Sequence, residues 1–247
     1  MDADHDLATA ARLRLVNATR TYREVVTSGP PTGVPVDFAA ALADLRRQAL
    51  RAEVRLTEIP APRRVAPFSV ALSGDVLPGS PPGRTDRDDS DDHDHSDAPL
   101  ATGRFVVLHD PAGQEAWHGT FRVVTLVRAT LEPEMAADPM LADVAWSWVG
   151  ECLENVGLVP GTDTVADGGT VTRVLSQSYG ALHGTPDAVD LEIRASWTPL
   201  DTQLGTHLRA WAALLTLAAG VPPLPDGVAA LTRRFTDRSR QRHTVGP

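Results

Sequence analysis

Two histidines and two carboxylates lie close together in the stretch from His109 to His118, which also contains Asp110 and Glu115. Imidazole and carboxylate groups at such short spacing are ligands for zinc-like metals and can also form a general acid–base pair. Either chemistry requires the side chains to meet at one point. The local secondary structure therefore decides whether this stretch is a site.

The run Asp110–Gly113 predicts a type I turn, because it has Asp first, Pro second and Gly last. A turn at that place would pair His109 with Gln114 and His118 with Phe105. The two histidines would then lie four residue pairs apart at ~3.3 Å each, or about 13 Å. A single ion cannot bridge that distance, so no metal site is predicted here and no cofactor is expected.

Cys152 is the only cysteine and could act as a nucleophile. It follows Trp148 by four residues, on the apolar stripe of a predicted helix. A buried free cysteine behaves mainly as a small hydrophobic residue, so core packing is the favoured interpretation.

Glu132 and Glu134 flank Pro133 at the end of a predicted strand and could form an acid–base pair. Exposed carboxylates are ordinary at such a position, and no partner base is visible. Six residues remain as a candidate pocket or binding surface: His109, Glu115, Trp117, His118, Glu132 and Arg194.

The segment from Arg84 to Asp97 holds seven Asp, two Arg and two His. Its oxygen and imidazole ligands could bind a divalent cation weakly. A solvated run of charges is the favoured interpretation, since the segment has almost no apolar residue with which to pack.

Composition excludes several reaction classes. All 23 basic residues are Arg, so Schiff-base chemistry, a pyridoxal phosphate anchor and a P-loop lysine are ruled out. One cysteine cannot form an internal disulfide or a CxxC motif. The motifs GxSxG, HExxH and GxGxxG are also missing from the sequence.

The net charge of −9 argues against nucleic acid as a partner, because binding to it rests on a basic surface. The beginning of the chain is acidic, where a signal peptide would be basic. The longest apolar run of the chain, residues 210–221, is shorter than the roughly 20 residues of a membrane span. We expect a cytoplasmic protein that does not enter membranes.

Strand patterns are clearest in two places. After the predicted turn, residues alternate from Trp117 to Leu131, with Phe121 on one face and Arg122 and Arg128 on the other. The segment 189–197 alternates in the same way. Further strands are predicted at 54–56, 68–72 and 170–179, and the neighbouring prolines make the first of these an edge strand or a short one.

Three helices are predicted from apolar residues at helical spacing. The first has Asp37 as its N-cap and an apolar stripe that reaches Ala49. The second has Asp138 as its N-cap and includes Val144 on its apolar stripe. The third runs from about Thr202 to a stop at Gly220.

These elements predict an α+β fold, an antiparallel sheet of about five to six strands with helices packed on one face. The predicted organisation is an N-terminal extension over 1–35, one domain over 36–230 and an Arg-rich flexible tail over 231–247. Within the domain, residues 77–99 form a disordered acidic insertion.

Longer motifs carry a family resemblance. They are TGRFVVLHDPAGQEAWHGTFRVVTLVRATLEPEM and DPMLADVAWSWV, together with GTVTRV, EIRASWTP and AAGVPPLPDGV. With them the chain resembles an actinobacterial family of proteins of unknown function, DUF3000, over roughly residues 36–228. The resemblance implies no activity or catalytic residue. It also implies a gene neighbourhood that includes ribonuclease D-like and uroporphyrinogen decarboxylase genes.

Two functional hypotheses remain. The first is a non-catalytic binding or regulatory module that presents the polar face of its sheet to a protein or small-molecule partner. It is favoured because no nucleophile, base and orienting group can be assembled from the chain. The alternative is an enzyme or accessory factor of tetrapyrrole or RNA metabolism, with a pocket near the 109–119 hairpin.

Overall fold

The fold is described from a computed structural model, which covers residues 33–62, 64–78, 98–131, 138–183, 188–222 and 232–234. Nearly all of the predicted extension at 1–35 and of the acidic insertion at 77–99 lies outside these residues. So do Glu132 and most of the predicted tail at 231–247. The proposed domain limits therefore stay a prediction.

Three helices form one layer of the fold. Helix α1 spans Val36–Arg47, α2 spans Leu141–Glu154 and α3 spans Leu204–Ala218. Helix α3 is the most buried of the three, since 11 of its 15 residues are buried. It contacts both other helices as well as three strands of the sheet, which places it at the centre of the helical layer.

Eight strands complete the fold in the described residues. They are β1 Ala49–Arg51, β2 Val54–Ile59, β3 Phe68–Val76, β4 Ala101–Gln114, β5 Gly119–Leu131, β6 Thr164–Ser176, β7 Ala188–Pro199 and β8 Thr232–Arg234. Strands β2 to β7 form one antiparallel sheet in the order β2-β3-β4-β5-β7-β6. The short strands β1 and β8 pair separately. Strand β2 lies at a sheet edge, as its flanking prolines predicted.

The six-stranded sheet and the helices give the predicted α+β class, and all three helices lie on one face of the sheet. We call that face the inner face. Gly74 and Gly103 allow α3 to approach the inner face closely. A Cβ added at Gly74 would lie 2.6 Å from the Trp211 ring, and one added at Gly103 would lie 2.8 Å from it. The Trp211 indole N–H also donates a hydrogen bond of 3.3 Å to the Leu126 carbonyl.

The alternation is confirmed for β7 and, from the start of the strand at Gly119, for β5, whereas Trp117 lies in a 3-10 helix and not in the strand as predicted. In β7, Val189, Leu191, Ile193, Ala195 and Trp197 are all buried, with at most 3% of each exposed. In β5, alternate residues from Phe121 to Leu131 are buried in the same way. The intervening residues point to the opposite, outer face of the sheet, which the described helices leave uncovered.

The predicted turn at Asp110–Gly113 is wrong. Strand β4 continues to Gln114, and the chain reverses through the 3-10 helix Glu115–Trp117 and through His118, which has a left-handed φ of 59°. Phe105 pairs with Thr125 rather than with His118, and His109 pairs with Phe121 rather than with Gln114.

Asp110–Gly113 is a bulge within β4, since these four residues lie between the pairs His109–Phe121 and Gln114–Gly119. The Asp110 carboxylate accepts hydrogen bonds from the Ala112 N–H at 3.1 Å and from the Gln114 amide at 3.2 Å. Gly113 adopts a φ of +74°. The same local bonds and left-handed glycine serve a bulge as well as a hairpin turn, which explains the error.

Both predicted N-caps are displaced. Helix α1 begins at Val36, so Asp37 lies in its first turn, and Ala49 belongs to β1 and is exposed. Helix α2 begins at Leu141, after a turn in which the Asp138 carboxylate accepts a hydrogen bond from the Met140 N–H at 2.8 Å. Val144 is 42% exposed, so it is not part of the apolar stripe.

Candidate functional site

The outer face of the sheet collects arginines from three neighbouring strands. The strand register places Arg104 of β4, Leu126 of β5 and Arg194 of β7 in one row across the sheet. Arg128 lies in the next row, opposite Glu192. Because β5 and β7 are neighbours, residues far apart in the sequence meet on this surface, which we call the arginine face.

Arg104 is the least engaged of these arginines. It is exposed, and it forms no hydrogen bond or ion pair with any residue that the structure describes. Its neighbours across the strands are Ser73 and Leu126, neither of which carries charge. All the donors of its guanidinium group therefore remain available to a ligand.

Arg128 and Arg194 share a single carboxylate. The Nε–H of Arg128 donates to one oxygen of Glu192, and the Nε–H of Arg194 donates to the other oxygen at 2.5 Å. Burial alone would raise the pKa of Glu192, but hydrogen bonds from the two arginines outweigh it and hold the pKa below its ordinary value. The side chains of Arg128 and Arg194 are still 58% and 64% exposed.

The arginine face is positive within an acidic chain. The outward positions of the six strands carry five arginines and three carboxylates in the described register. These are Arg55, Arg104, Arg122, Arg128 and Arg194 against Asp75, Asp190 and Glu192. Asp75 and Asp190 lie towards one end of the face, so the rows around Arg104 hold most of the unbalanced positive charge.

Arg122 has a different, structural environment. Its guanidinium group donates to the Ala166 carbonyl at 2.6 Å, the Ser196 hydroxyl at 2.7 Å and the Thr198 hydroxyl at 3.2 Å. Burial lowers the pKa of Arg122, and the negative charge of Asp167 opposes that shift. Arg122 thus ties β5 to β7 and β6 through neutral acceptors.

The predicted hairpin residues do not form one site. Glu115 and His118 are exposed in the reversal, and Trp117 is half-buried. The Trp117 carbonyl accepts a hydrogen bond of 2.5 Å from the Thr198 hydroxyl, which fixes the hairpin end against β7. Of the six candidates, Arg194 alone lies on the arginine face, and Glu132 is outside the described residues.

His109 is a core residue, only 1% exposed. Its ring stacks on Phe121 at a centroid distance of 4.2 Å and also packs against Phe38 and Phe68. The ring nitrogen Nδ1 donates to the Thr120 carbonyl at 3.1 Å, because a carbonyl can only accept. Burial lowers the pKa of His109, which keeps it neutral near pH 7.

His207 of α3 is a second buried histidine, which the sequence did not single out. Its Nδ1 accepts a hydrogen bond of 3.0 Å from the Trp197 indole N–H, so Nε2 carries the proton of the neutral ring. Burial lowers the pKa of His207 to about 4, against the opposing charges of Asp201, Asp163 and Asp44. The ring is therefore neutral in the folded protein near pH 7.

Cys152 is buried, as its place on the apolar stripe predicted. Burial raises the pKa of its thiol to about 12, and the charge of Glu151 acts in the same direction. The thiolate, which is the nucleophilic form, is therefore strongly disfavoured near pH 7.

Within the described ranges, no group of three or more His, Cys, Asp or Glu side chains is arranged to hold a metal ion. Among the same residues, no helix is long and apolar enough to cross a membrane.

The sequence patterns missed the arginine face, although a signal was present. Alternation in β5 had already placed Arg122 and Arg128 on one side of the strand. Strand order was the missing information, since it brings Arg104 and Arg194 to either side of Leu126.

Comparison with known families confirms the predicted family resemblance. The family model described as "Protein of unknown function (DUF3000)" matches residues 34–229. The chain belongs to this family. No curated protein and no solved structure shows significant similarity to it.

Proposed function

We propose that the protein is a non-catalytic binding module and that its arginine face binds an acidic segment of a partner protein. Arg104 is the observation that carries this proposal. It is a fully available cation, in the same row as Arg194 and two strands away, or about 10 Å between backbones. The proposed site of action is the cytoplasm.

Carboxylates suit this face because guanidinium groups bind them with two parallel hydrogen bonds. Arg194 and Arg128 already hold one carboxylate between them, each with a single Nε–H bond to a different oxygen of Glu192. Leu126 lies between the arginines and is half-buried, and the neighbouring Val124 is 38% exposed. An acidic segment with some apolar side chains would therefore find contacts for both kinds of group.

A protein partner fits this surface better than single-stranded nucleic acid. Proteins that bind single strands stack bases on aromatic side chains. At the outward positions of β2 to β7, the described residues include no aromatic side chain, since Phe105, Phe121 and Trp197 all point inward. The charge alone would attract either polymer, so nucleic acid serves as a comparison in the test.

The test measures fluorescence anisotropy of a labelled 12-residue peptide of alternating Glu and Leu. We expect the protein to bind this peptide and to lose affinity as salt rises, because exposed charges are screened over about 8 Å at 0.15 M salt. A Gln–Leu peptide and an oligothymidylate of similar length should bind at least tenfold more weakly.

Arg104→Glu should weaken binding of the acidic peptide at least tenfold, because it places a carboxylate in the middle of the face. Arg209→Glu is the matched control, since Arg209 is exposed on α3 in the helical layer. Equal loss in both variants, or tighter binding of the oligothymidylate, would contradict the proposal.

A further inference from the structure

A cleft separates helix α2 from strands β6 and β7, on the helical side of the sheet and away from the arginine face. Its volume is about 190 Å³. Trp146, Val149 and Leu153 of α2 form one wall, and Ala195 and Trp197 of β7 form the other. Asp167 and Ser147 contribute polar groups and are exposed.

The Trp146 wall depends on a neighbouring glycine. A Cβ added at Gly169 would lie 2.7 Å from the Trp146 ring and 2.0 Å from the Arg194 carbonyl oxygen. Any other residue at 169 would thus collide with the ring and with β7. Gly169 is therefore required for the close contact between Trp146 and β6.

Gly150 and Gly168 also line the cleft, but no packing contact requires them. A Cβ added at either residue would meet no atom within 4 Å, and neither has a positive φ. Glycine destabilises the interior of a helix or a strand relative to alanine. Gly168 pairs with Ser196, so a side chain there would point to the outer face of the sheet, and Gly150 is the glycine whose missing side chain leaves the cleft open.

One end of the cleft lies at a bulge in β6. The ladder with β7 shifts between the pairs Val165–Thr198 and Gly168–Ser196, so Ala166 and Asp167 are outside the regular pairing. Ala166 has a φ of 51°, an unusual value for a residue with a side chain. Its carbonyl is held by Arg122, which fixes the bulge from the outer side.

We propose that this cleft binds one planar aromatic ring that carries an N–H or O–H group. A cavity of about 150 Å³ holds a benzene molecule, so the volume suits a single ring or an indole. Trp146, which is only partly buried, supplies an aromatic surface for stacking, whereas Trp197 is 2% exposed and offers a ligand almost no accessible surface. The Asp167 carboxylate can accept the ligand's hydrogen bond, and its charge disfavours anionic rings.

An aromatic ring with an N–H or O–H group could belong to a free small molecule or to a Trp or Tyr side chain of another protein. Indole and phenol represent the first source, and N-acetyltryptophanamide represents the second. Isothermal titration of the full chain measures the affinity of all three probes. Whichever source binds more tightly is the one that the cleft serves.

Filling the cleft tests the site without disturbing the fold. Gly150→Leu places a side chain from α2 into the open space of the cleft and should weaken binding of the preferred probe at least tenfold. Ala142→Leu adds the same side chain as Gly150→Leu at an exposed position of α2. It should change the affinity less than twofold.

Thermal unfolding checks that the Gly150→Leu protein remains folded, with a melting temperature no lower than that of the parent protein. Unchanged affinity in this folded variant would overturn the proposal. So would no detectable binding of any of the three probes at 10 mM. Binding of the Glu–Leu peptide should be unaffected by filling, because that surface is on the other side of the sheet.

Discussion

The two faces of the six-stranded sheet obey different constraints. On the inner face, every second residue of β7, from Val189 to Trp197, is buried against helices or neighbouring strands. On the outer face, Arg104 and Arg194 are exposed, and none of the described helices covers them. Packing accounts for the identity of the inner residues but gives no reason for the arginines outside. The difference separates the residues that make the fold from those that are free to serve a function.

The sharpest test of this comparison uses two adjacent residues on opposite faces. Ile193→Asp buries an unpaired carboxylate and should cost about 4 kcal/mol or more, enough to unfold most domains. Arg194→Gln removes an exposed ion pair with Glu192 without adding a charge beside it, and should change the free energy of unfolding by only about 0.5 kcal/mol. Urea denaturation followed by circular dichroism measures both. Equal tolerance would mean that the strand faces are assigned wrongly.

The buried His207 predicts a pH dependence of stability. Its pKa of about 4 in the folded protein is below the ordinary 6.5, so the unfolded chain binds the proton more readily. Stability is therefore complete above pH 6.5 and is lost as pH falls towards 4. Protonation also removes the acceptor of the Trp197 indole N–H.

From pH 7 to pH 5, His207 should account for a loss of about 2 kcal/mol in the free energy of unfolding. The His207→Gln variant should not show this loss of about 2 kcal/mol. The His118→Gln variant, changed at the exposed hairpin end, should show it in full. Urea midpoints at the two pH values provide the measurement. Identical slopes for all three proteins would show that His207 titrates normally.

Glycines on the inner face should also be sensitive. Gly103→Ala places a Cβ 2.5 Å from the Leu126 carbonyl oxygen and 2.8 Å from the Trp211 ring. We expect a loss of about 1–3 kcal/mol, as for other overpacked cores. Gly168→Ala is the control, because its Cβ would meet nothing within 4 Å. A similar loss in both variants would argue against the close approach of α3.

Sequence patterns predicted those features that a single strand or helix contains. Alternation alone identified the buried side of β7, and the apolar stripe of α2 identified Cys152 as a core residue. Turn chemistry was less specific, because the bonds of Asp110 and the left-handed Gly113 occur in a bulge as well as in a turn. The left-handed residue that closes the hairpin is His118. Histidine adopts a left-handed φ less readily than glycine, so its residue type did not indicate the chain reversal.

The candidate site depends on long-range order, which no local pattern contains. Arg104 and Arg194 share a row because β7, and not β6, lies beside β5. His109 was a candidate for its residue type, but three phenylalanine rings surround it in the core. Their convergence requires α1, β3 and β5 to pack together, which spacing along the chain does not reveal.

The most direct test of the binding face is a titration of the Glu–Leu peptide into labelled protein, followed by NMR of the arginine Nε–H groups. We expect the Nε–H signals of Arg104 and Arg194 to shift with increasing peptide, while that of Arg209 on α3 stays in place. Shifts confined to Arg209 and the other arginines of the helical layer, with Arg104 unchanged, would show that the peptide does not bind to the arginine face.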